Sequence, residues 1–392
     1  MKTHQSTLEF LDDKVIKIYN DDIKNKMSSV SNEIYCINKF STNKNPYAPV
    51  ILGYSKNSYI IKRYDFSLGN TKKIFEKNIR RLLFSCSLTE VFKQMDEIEI
   101  ILKNKNIYHR DINPGNILFS EKELRLKIID FYWAKTDNIN PSVPSGLNSI
   151  YGINDSEAFS KIKNQLFKVD KIVRKQVKNL KRETISVLGK KYYDGSSKHI
   201  GKTYHQIDIP YFKNVSFHRD NSDEFNEINK NMIKPIKNVM DIGCSSCYYL
   251  FNFMRMFRLE KAIGYESDPH MLKLLRGIKK IFCLDELIIK ETINIDTKFE
   301  KVDLVICMNI HMWLEKQFGK NVDKIIMNLT ANNKEMFFQT AGKESSGMYT
   351  VKSLKTKESI KIYLEKLGRK KVEFIRSTEK HGGKRHLFRS RI

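Results

Sequence analysis

The chain has 392 residues, 41% of them hydrophobic and 11% aromatic, which supports two or three cored domains and excludes a globally disordered protein. Its formal charge of +25 at pH 7 suits nucleic acid, nucleotides, anionic membrane surfaces or phosphorylated glycans, yet Lys is spread from end to end, so charge alone does not single out a nucleic-acid binder. No apolar run approaches the roughly 18 residues of a membrane helix, the N-terminal stretch lacks a secretory signal, and six cysteines without dense spacing argue against a disulfide framework; a cytoplasmic protein is expected.

Along residues 1–160, short β-type runs (KVIKIY, SYIIKRY, LRLKIIDF) alternate with helical stretches. The strongest local signal is YHRDINPGNILF, residues 108–119, followed by LRLKIIDFYWA, residues 124–134. Phosphoryl transfer needs a carboxylate near the attacking hydroxyl and oxygen ligands for a Mg²⁺ ion that bridges phosphates. Asp111 lies in an H-R-D turn, Asn116 follows five residues later, and Asp130 closes an apolar β-run, the spacing of a kinase catalytic loop and its metal ligand.

These residues resemble the protein-kinase-like phosphotransferases. The resemblance implies a bilobal α+β domain binding ATP and Mg²⁺, with Asp111 catalytic and Asn116 and Asp130 on the metal. It also implies a phosphate-anchoring lysine, Lys17 in DDKVIKIYN, paired with Glu33 in the helical segment SSVSNEIYCINKF. Lys62 competes for that role but no suitable glutamate-bearing helix follows it. No G-x-G-x-x-G precedes Lys17, Tyr132 replaces the glycine after the metal aspartate's aromatic neighbour, and no A-P-E element follows. A domain trimmed in this way is similar to lipopolysaccharide and other small-substrate kinases, and the missing glycines also leave a catalytically dead pseudokinase open. Asp155 reads either as a brace for the catalytic loop or as a helix N-cap.

Residues 155–190 predict one long helix with Ile162, Leu166, Val169, Val173, Val177, Leu180, Thr184 and Val187 on one stripe and Lys and Arg elsewhere. It is expected to link the first domain, through residues 161–198, to a second domain at 199–392. GKKYYDGSSKHIG is a turn cluster at that junction.

The second domain opens its sheet at VMDIGCSSCYYLF, residues 239–251. Cys244 and Cys247 form a C-x-x-C pair, but zinc normally needs a second pair, and Cys283, Cys307, His381 and His386 do not supply one. A redox dithiol has the right strand-to-helix context. The flanks favour a third reading: Asp241 and Gly243 end a buried strand, and a second strand ends at Glu266. A glycine turn lets a cofactor approach the backbone, and an acidic residue on the next strand accepts ribose hydroxyls.

This pattern resembles the class I S-adenosylmethionine-dependent methyltransferases, with an α/β Rossmann-like fold. The resemblance places Asp241, Gly243 and Cys244 at the methionine end, Glu266 at the ribose and Asn309 near the sulfonium. It makes KVDLVICMNIHMWL and EMFFQTAG the fourth and fifth strands. His311 is the expected acid–base group, with Trp313 and Glu344 as further substrate candidates. The segment before the first strand is a candidate lid, with His205 and Arg219 as candidate substrate contacts.

Together the halves resemble the kinase–methyltransferases that terminate bacterial O-antigen polysaccharides, with the domains in the opposite order. That resemblance implies phosphorylation and methylation of one sugar or cell-surface glycan. An RNA methyltransferase with a kinase-like binding domain, and a methyltransferase with a regulatory pseudokinase, are the alternatives.

Overall fold

A computed structural model describes the chain except residues 1–5, 20–29, 56, 70, 144–149, 189–201, 332, 342–353, 355 and 381–382. The turn cluster at 189–201, Glu344 and His381 therefore lie outside the described residues. The chain divides into two compact units, Met1–Gln176 and Val177–Ile392. Among the described residues, no helix is long and apolar enough to cross a membrane.

The first unit begins with β1 (Ser6–Phe10) and β2 (Lys14–Tyr19), followed by α1 (Val30–Ser41), β3 (Ile51–Tyr54) and β4 (Ser58–Lys62). The four strands form an antiparallel sheet in the order β1-β2-β4-β3. The β1–β2 hairpin turns at Leu11-Asp12-Asp13, closed by Leu11 N–H to the Lys14 carbonyl at 2.9 Å, so a hairpin stands before Lys17 without any glycine. Next come β5 (Phe66–Ser67), α2 (Lys72–Ser85), α3 (Leu88–Asn104), β6 (Ile117–Ser120) and β7 (Arg125–Ile128). Thr71 and Ser87 cap α2 and α3 through their hydroxyls, satisfying N–H groups that a helix start leaves orphaned. The antiparallel β5-β6-β7 sheet holds the segments before and after it in register.

The long helix α4 runs Asp155–Glu183, and the division between units falls within it. Phe159, Ile162, Leu166 and Val173 are fully buried along one stripe, as a three-and-four spacing demands. At its far end, in the second unit, Leu180 packs onto Gly277; a Cβ there would sit 2.5 Å from Leu180 Cδ1.

The second unit opens with the parallel pair β8 (Thr203–His205) and β9 (Phe217–Arg219), then α5 (Ser222–Asn231). An alternating series follows: β10 (Asn238–Ile242), α6 (Tyr248–Met256), β11 (Lys261–Tyr265), α7 (Pro269–Phe282), β12 (Leu287–Lys290), β13 (Leu304–Met308), α8 (His311–Phe318), α9 (Val322–Thr330) and β14 (Glu335–Ala341). It closes with α10 (Lys357–Lys366), β15 (Lys371–Lys380) and β16 (Gly383–Arg391). The seven-stranded sheet has the order β12-β11-β10-β13-β14-β16-β15, parallel except where β16 inserts antiparallel between β14 and β15. Every residue of β13 is buried, as expected of a parallel strand covered on both faces. This is a Rossmann-like α/β sheet. Its strand order reverses between β10 and β13, and such switch points open a crevice at the carboxyl ends of the strands.

Candidate functional sites

In the first unit, β2 places Lys17 beneath α1, which presents Glu33. The Lys17 ammonium lies 3.1 Å from Glu33 Oε2 and 2.8 Å from Asp130 Oδ1. Lys62, the competing lysine, instead reaches Glu123 at 2.7 Å. Tyr59 donates to Glu33 Oε1 at 2.9 Å, and the rings of Tyr19, Tyr59 and Tyr132 surround the ammonium at 5.0, 5.8 and 6.0 Å. Burial alone would strip the proton from Lys17, but Asp130 and Glu33 outweigh it and hold the pKa well above its usual value. Burial raises the Glu33 carboxyl despite the lysine. At Asp130 burial pushes the same way, yet Lys17 prevails and lowers it. Tyr132, standing where glycine was expected, stacks on Tyr19 at 5.7 Å.

The loop carrying Asp111 is tied internally. Asn113 Nδ2 donates to Asp111 Oδ1 at 3.0 Å, and Asn116 Nδ2 donates to Asp111 Oδ2 at 3.0 Å. Ile129 N–H donates to the Asn116 carbonyl at 3.0 Å, holding Asn116 beside the strand end that carries Asp130. Asp130 itself adopts a left-handed backbone, φ 64°. Asp155 settles the two readings left open for it. Its carboxylate accepts the His109 and Arg110 backbone N–H groups at 2.6 and 2.8 Å, while the helix N-terminus is capped by Asn154, whose Oδ1 accepts from Glu157 N–H at 3.2 Å. The brace fixes Arg110 at φ 64°. His109 then meets the Ile129 carbonyl at 3.0 Å, and its ring contacts Phe131, which contacts Phe40 of α1.

The amide oxygen of Asn116 and the carboxylate of Asp130 are hard donors of the kind that suits Mg²⁺, and Lys17 is a cation fixed between two carboxylates. Among the described residues no group of three or more His, Cys, Asp or Glu side chains could hold a metal.

In the second unit, the loop after β10 is built for close approach. Gly243 has φ 71°, and a Cβ there would lie 2.6 Å from Ile310 Cδ1. Cys244 N–H donates to the Tyr265 carbonyl, and Cys247 N–H to the Cys244 carbonyl. Glu266 accepts three backbone N–H groups, from Ser245, Ser267 and Asp268, at 2.7–2.9 Å, so it clamps the loop. Burial raises its carboxyl. Ser246 donates to the carbonyls of His205 and Gln206, fastening the β8 segment over the same loop. The Cys244 and Cys247 sulfurs lie 3.5 Å apart, and burial raises both thiols, the opposite of an activated thiolate.

Asp241 is 2% exposed and its Oδ2 has no protein partner; burial, then Glu266, raises its carboxyl far above the usual range. Asn309, at φ 60°, donates from Nδ2 to Gln339 Oε1 at 2.8 Å, and its buried Oδ1 has no protein partner. These two orphaned acceptors fit an ammonium such as the methionine end of S-adenosylmethionine.

His311, the expected acid–base group, opens α8. Its ring is 2% exposed, shares a hydrogen bond with the Tyr363 hydroxyl at 2.9 Å and packs edge-on against Phe338 and Tyr363. Burial lowers its pKa to about 4, and its buried Nδ1 has no protein partner. Trp313, by contrast, is 47% exposed.

Arg219, expected as a substrate contact, is joined in the structure by residues that no motif marks, Asn221, Gln339 and Arg385. Arg219 is 2% exposed and donates from Nη2 to Glu224 Oε1 at 3.2 Å and Gln339 Oε1 at 3.1 Å. Gln339 thereby joins Arg219 to Asn309.

No protein-family model matches the chain. Among solved structures, the chain is similar to EvdMO1 at 13% identity, covering 46% of this chain and 43% of that one, with a TM-score of 0.36. It is similar to WbdD, solved with the kinase inhibitor LY294002, at 13% identity over 48% of this chain and 45% of that one, TM-score 0.39. A magnesium protoporphyrin IX methyltransferase from Synechocystis PCC 6803 with bound SAH matches at 12% identity over 43% and 80% of the two chains, TM-score 0.33. The chain spans less than half the length of the first two.

Proposed function

We propose that the chain is a bifunctional transferase that adds a phosphoryl group from ATP and a methyl group from S-adenosylmethionine to one hydroxyl-bearing acceptor, a sugar or cell-surface glycan. The observation that carries the reading is the Lys17–Glu33–Asp130 ion-pair network, set beside an Asp111 loop braced by Asp155, in the same chain as a Rossmann-like sheet with buried polar groups at its switch point. A purely regulatory first unit has no evident need for a lysine bridging two carboxylates at the end of β7.

In this reading Asp111 accepts the proton of the acceptor hydroxyl, Lys17 orients the phosphates, and Asn116 and Asp130 hold Mg²⁺, which neutralises phosphate charge when bound. In the second unit Asp241 and Asn309 hold the ammonium of the cofactor, Gly243 and Cys244 give it backbone to lie against, and Glu266 meets its ribose while keeping the loop closed. S-adenosylmethionine supplies an electrophilic methyl group when bound. The protein's part is to orient the acceptor oxygen in line and to exclude water.

The test is mass spectrometry of candidate glycan, nucleotide and RNA acceptors after incubation with ATP and S-adenosylmethionine together. One product carrying both groups is expected, with phosphate lost in Asp130→Ala and methyl lost in Asp241→Ala. Additions on unrelated acceptors, or methyl transfer to RNA alone, would overturn the proposal.

A further inference from the structure

We propose that Tyr132 is a positioning residue for phosphoryl transfer: stacked on Tyr19 of β2, it pins the turn after β7 and keeps Asp130 beside Lys17. The proposal deepens the phosphoryl-transfer reading and rests on it for the role of Asp130 toward Mg²⁺.

A glycine at position 132 would leave the backbone after Asp130 free to rotate. A tyrosine takes that freedom away, and it does so here without strain, because Tyr132 keeps a negative φ. Asp130 carries the unusual conformation itself, at φ 64°, in a left-handed region that Asp enters more readily than most residues.

Three consecutive rings then anchor the turn in different directions. Phe131 lies against His109, in the loop that carries Asp111, at 4.6 Å, and against Phe40 of α1 at 5.3 Å. Tyr132 stacks on Tyr19 with the two rings 21° from parallel, and Trp133 packs edge-on against Tyr132 at 4.7 Å. All three are buried, whereas the Asp130 side chain beside them keeps 36% exposure. Turning Asp130 away from Lys17 would draw this buried aromatic surface into water. The carboxylate is therefore held fast at a point that a cation can still reach.

The stack works through its rings. The Tyr19 hydroxyl is buried and has no hydrogen-bond partner, so Tyr19 is placed by its contact with Tyr132 and with the Lys17 ammonium, 5.0 Å from its ring. The Tyr132 ring reaches the same ammonium at 6.0 Å, and the Tyr132 backbone N–H donates to the Asp130 carboxylate. One residue thus touches both members of the Lys17–Asp130 pair.

The test measures ADP binding to the full chain by calorimetry, once with Mg²⁺ and once with EDTA. Mg²⁺ should tighten ADP in the wild-type chain. Tyr132→Gly should weaken ADP about 5-fold or more in Mg²⁺ and move it less than about 2-fold in EDTA, because only the metal-dependent part runs through Asp130. Tyr132→Phe, which keeps the stack, should restore the Mg²⁺ effect. Tyr19→Leu removes the stack from the other side without altering the turn and should reproduce the Tyr132→Gly result, so the test does not hang on one variant's folding. Equal weakening in both buffers would assign Tyr132 a merely structural role and overturn the proposal. An unaltered Mg²⁺ effect in Tyr132→Gly, or failure of Tyr132→Phe to restore it, would overturn the positioning role alone. No ADP binding by the wild-type chain in either buffer would sink the phosphoryl-transfer reading and the positioning role with it.

Discussion

Replacing Gly243 by alanine probes the cofactor loop through a steric contact that can be relieved on purpose. The residue sits at φ 71°, and the new Cβ would meet Ile310 at Cδ1, Cγ1 and Cβ, at 2.6, 2.9 and 3.3 Å. A left-handed conformation costs an L-residue about 1–2 kcal/mol, and overpacking adds about 1–3 kcal/mol. Gly243→Ala should therefore destabilise the second unit by roughly 2–5 kcal/mol and weaken S-adenosylhomocysteine binding. Ile310→Ala removes the two closest atoms and leaves the 3.3 Å neighbour, so the double variant should recover about 1–3 kcal/mol relative to additivity. Of the two tryptophans, Trp133 belongs to the first unit and Trp313 to the second. Urea unfolding followed by Trp313 fluorescence in a Trp133→Phe background reads the second unit alone. A Gly243→Ala cost below about 0.5 kcal/mol, or a strictly additive cycle, would refute the account of this turn.

Asp155→Ala should strip the His109 and Arg110 N–H groups of their acceptor, costing the first unit roughly 2–4 kcal/mol and abolishing nucleotide-dependent turnover; unchanged unfolding with full turnover would contradict the brace. Asp241 carries a raised pKa in the folded state, so the folded chain binds its proton more tightly than the unfolded one and stability falls as pH rises above about 4. Asp241→Asn should then stabilise the unliganded second unit at pH 8 by more than at pH 5, while weakening S-adenosylhomocysteine; a variant less stable than wild type at pH 8 would refute this. Five cysteines are buried and Cys283 is partly exposed, so the native chain should show one fast-reacting thiol at pH 8 and six after denaturation; two fast thiols, mapped to Cys244 and Cys247, would restore the redox reading. Cys247→Gly, at a left-handed position with φ 57°, should bind S-adenosylhomocysteine at least as well as wild type, and loss of binding would show that the thiol itself is needed.

What the sequence made legible was chiefly local. β13 announces itself as an unbroken apolar run, and the stripe of α4 follows a three-and-four spacing that only a helix explains. α4 ends at Glu183 rather than at the expected residue 190: the three-and-four spacing runs on through Thr184 and Val187, while the backbone tightens into a short 3₁₀ turn at Ile185–Val187. Asp155 was ambiguous for a physical reason: Asn-Asp at a helix start offers two capping side chains. Only the fold shows that Asn154 takes the cap and frees the aspartate for the loop.

His311 and Arg385 show why the sites were harder to read than the elements. A histidine after β13 has the right position for acid–base chemistry, but its burial depends on Tyr363, supplied by α10, and on Phe338 of β14, neither of them near in sequence. Arg385 looks like one basic residue in a basic tail. Its meaning comes from the antiparallel insertion of β16 beside β14, which sets Arg385 opposite Ala341 and His386 opposite Thr340. A shift of one residue would turn Arg385 to the other face of the sheet and take the second guanidinium away from Arg219. The same +25 background that hid this arginine is why charge counting did not find it. What distinguishes it is a buried Nη1 with no protein partner among the described residues, and that is a property of packing rather than of composition.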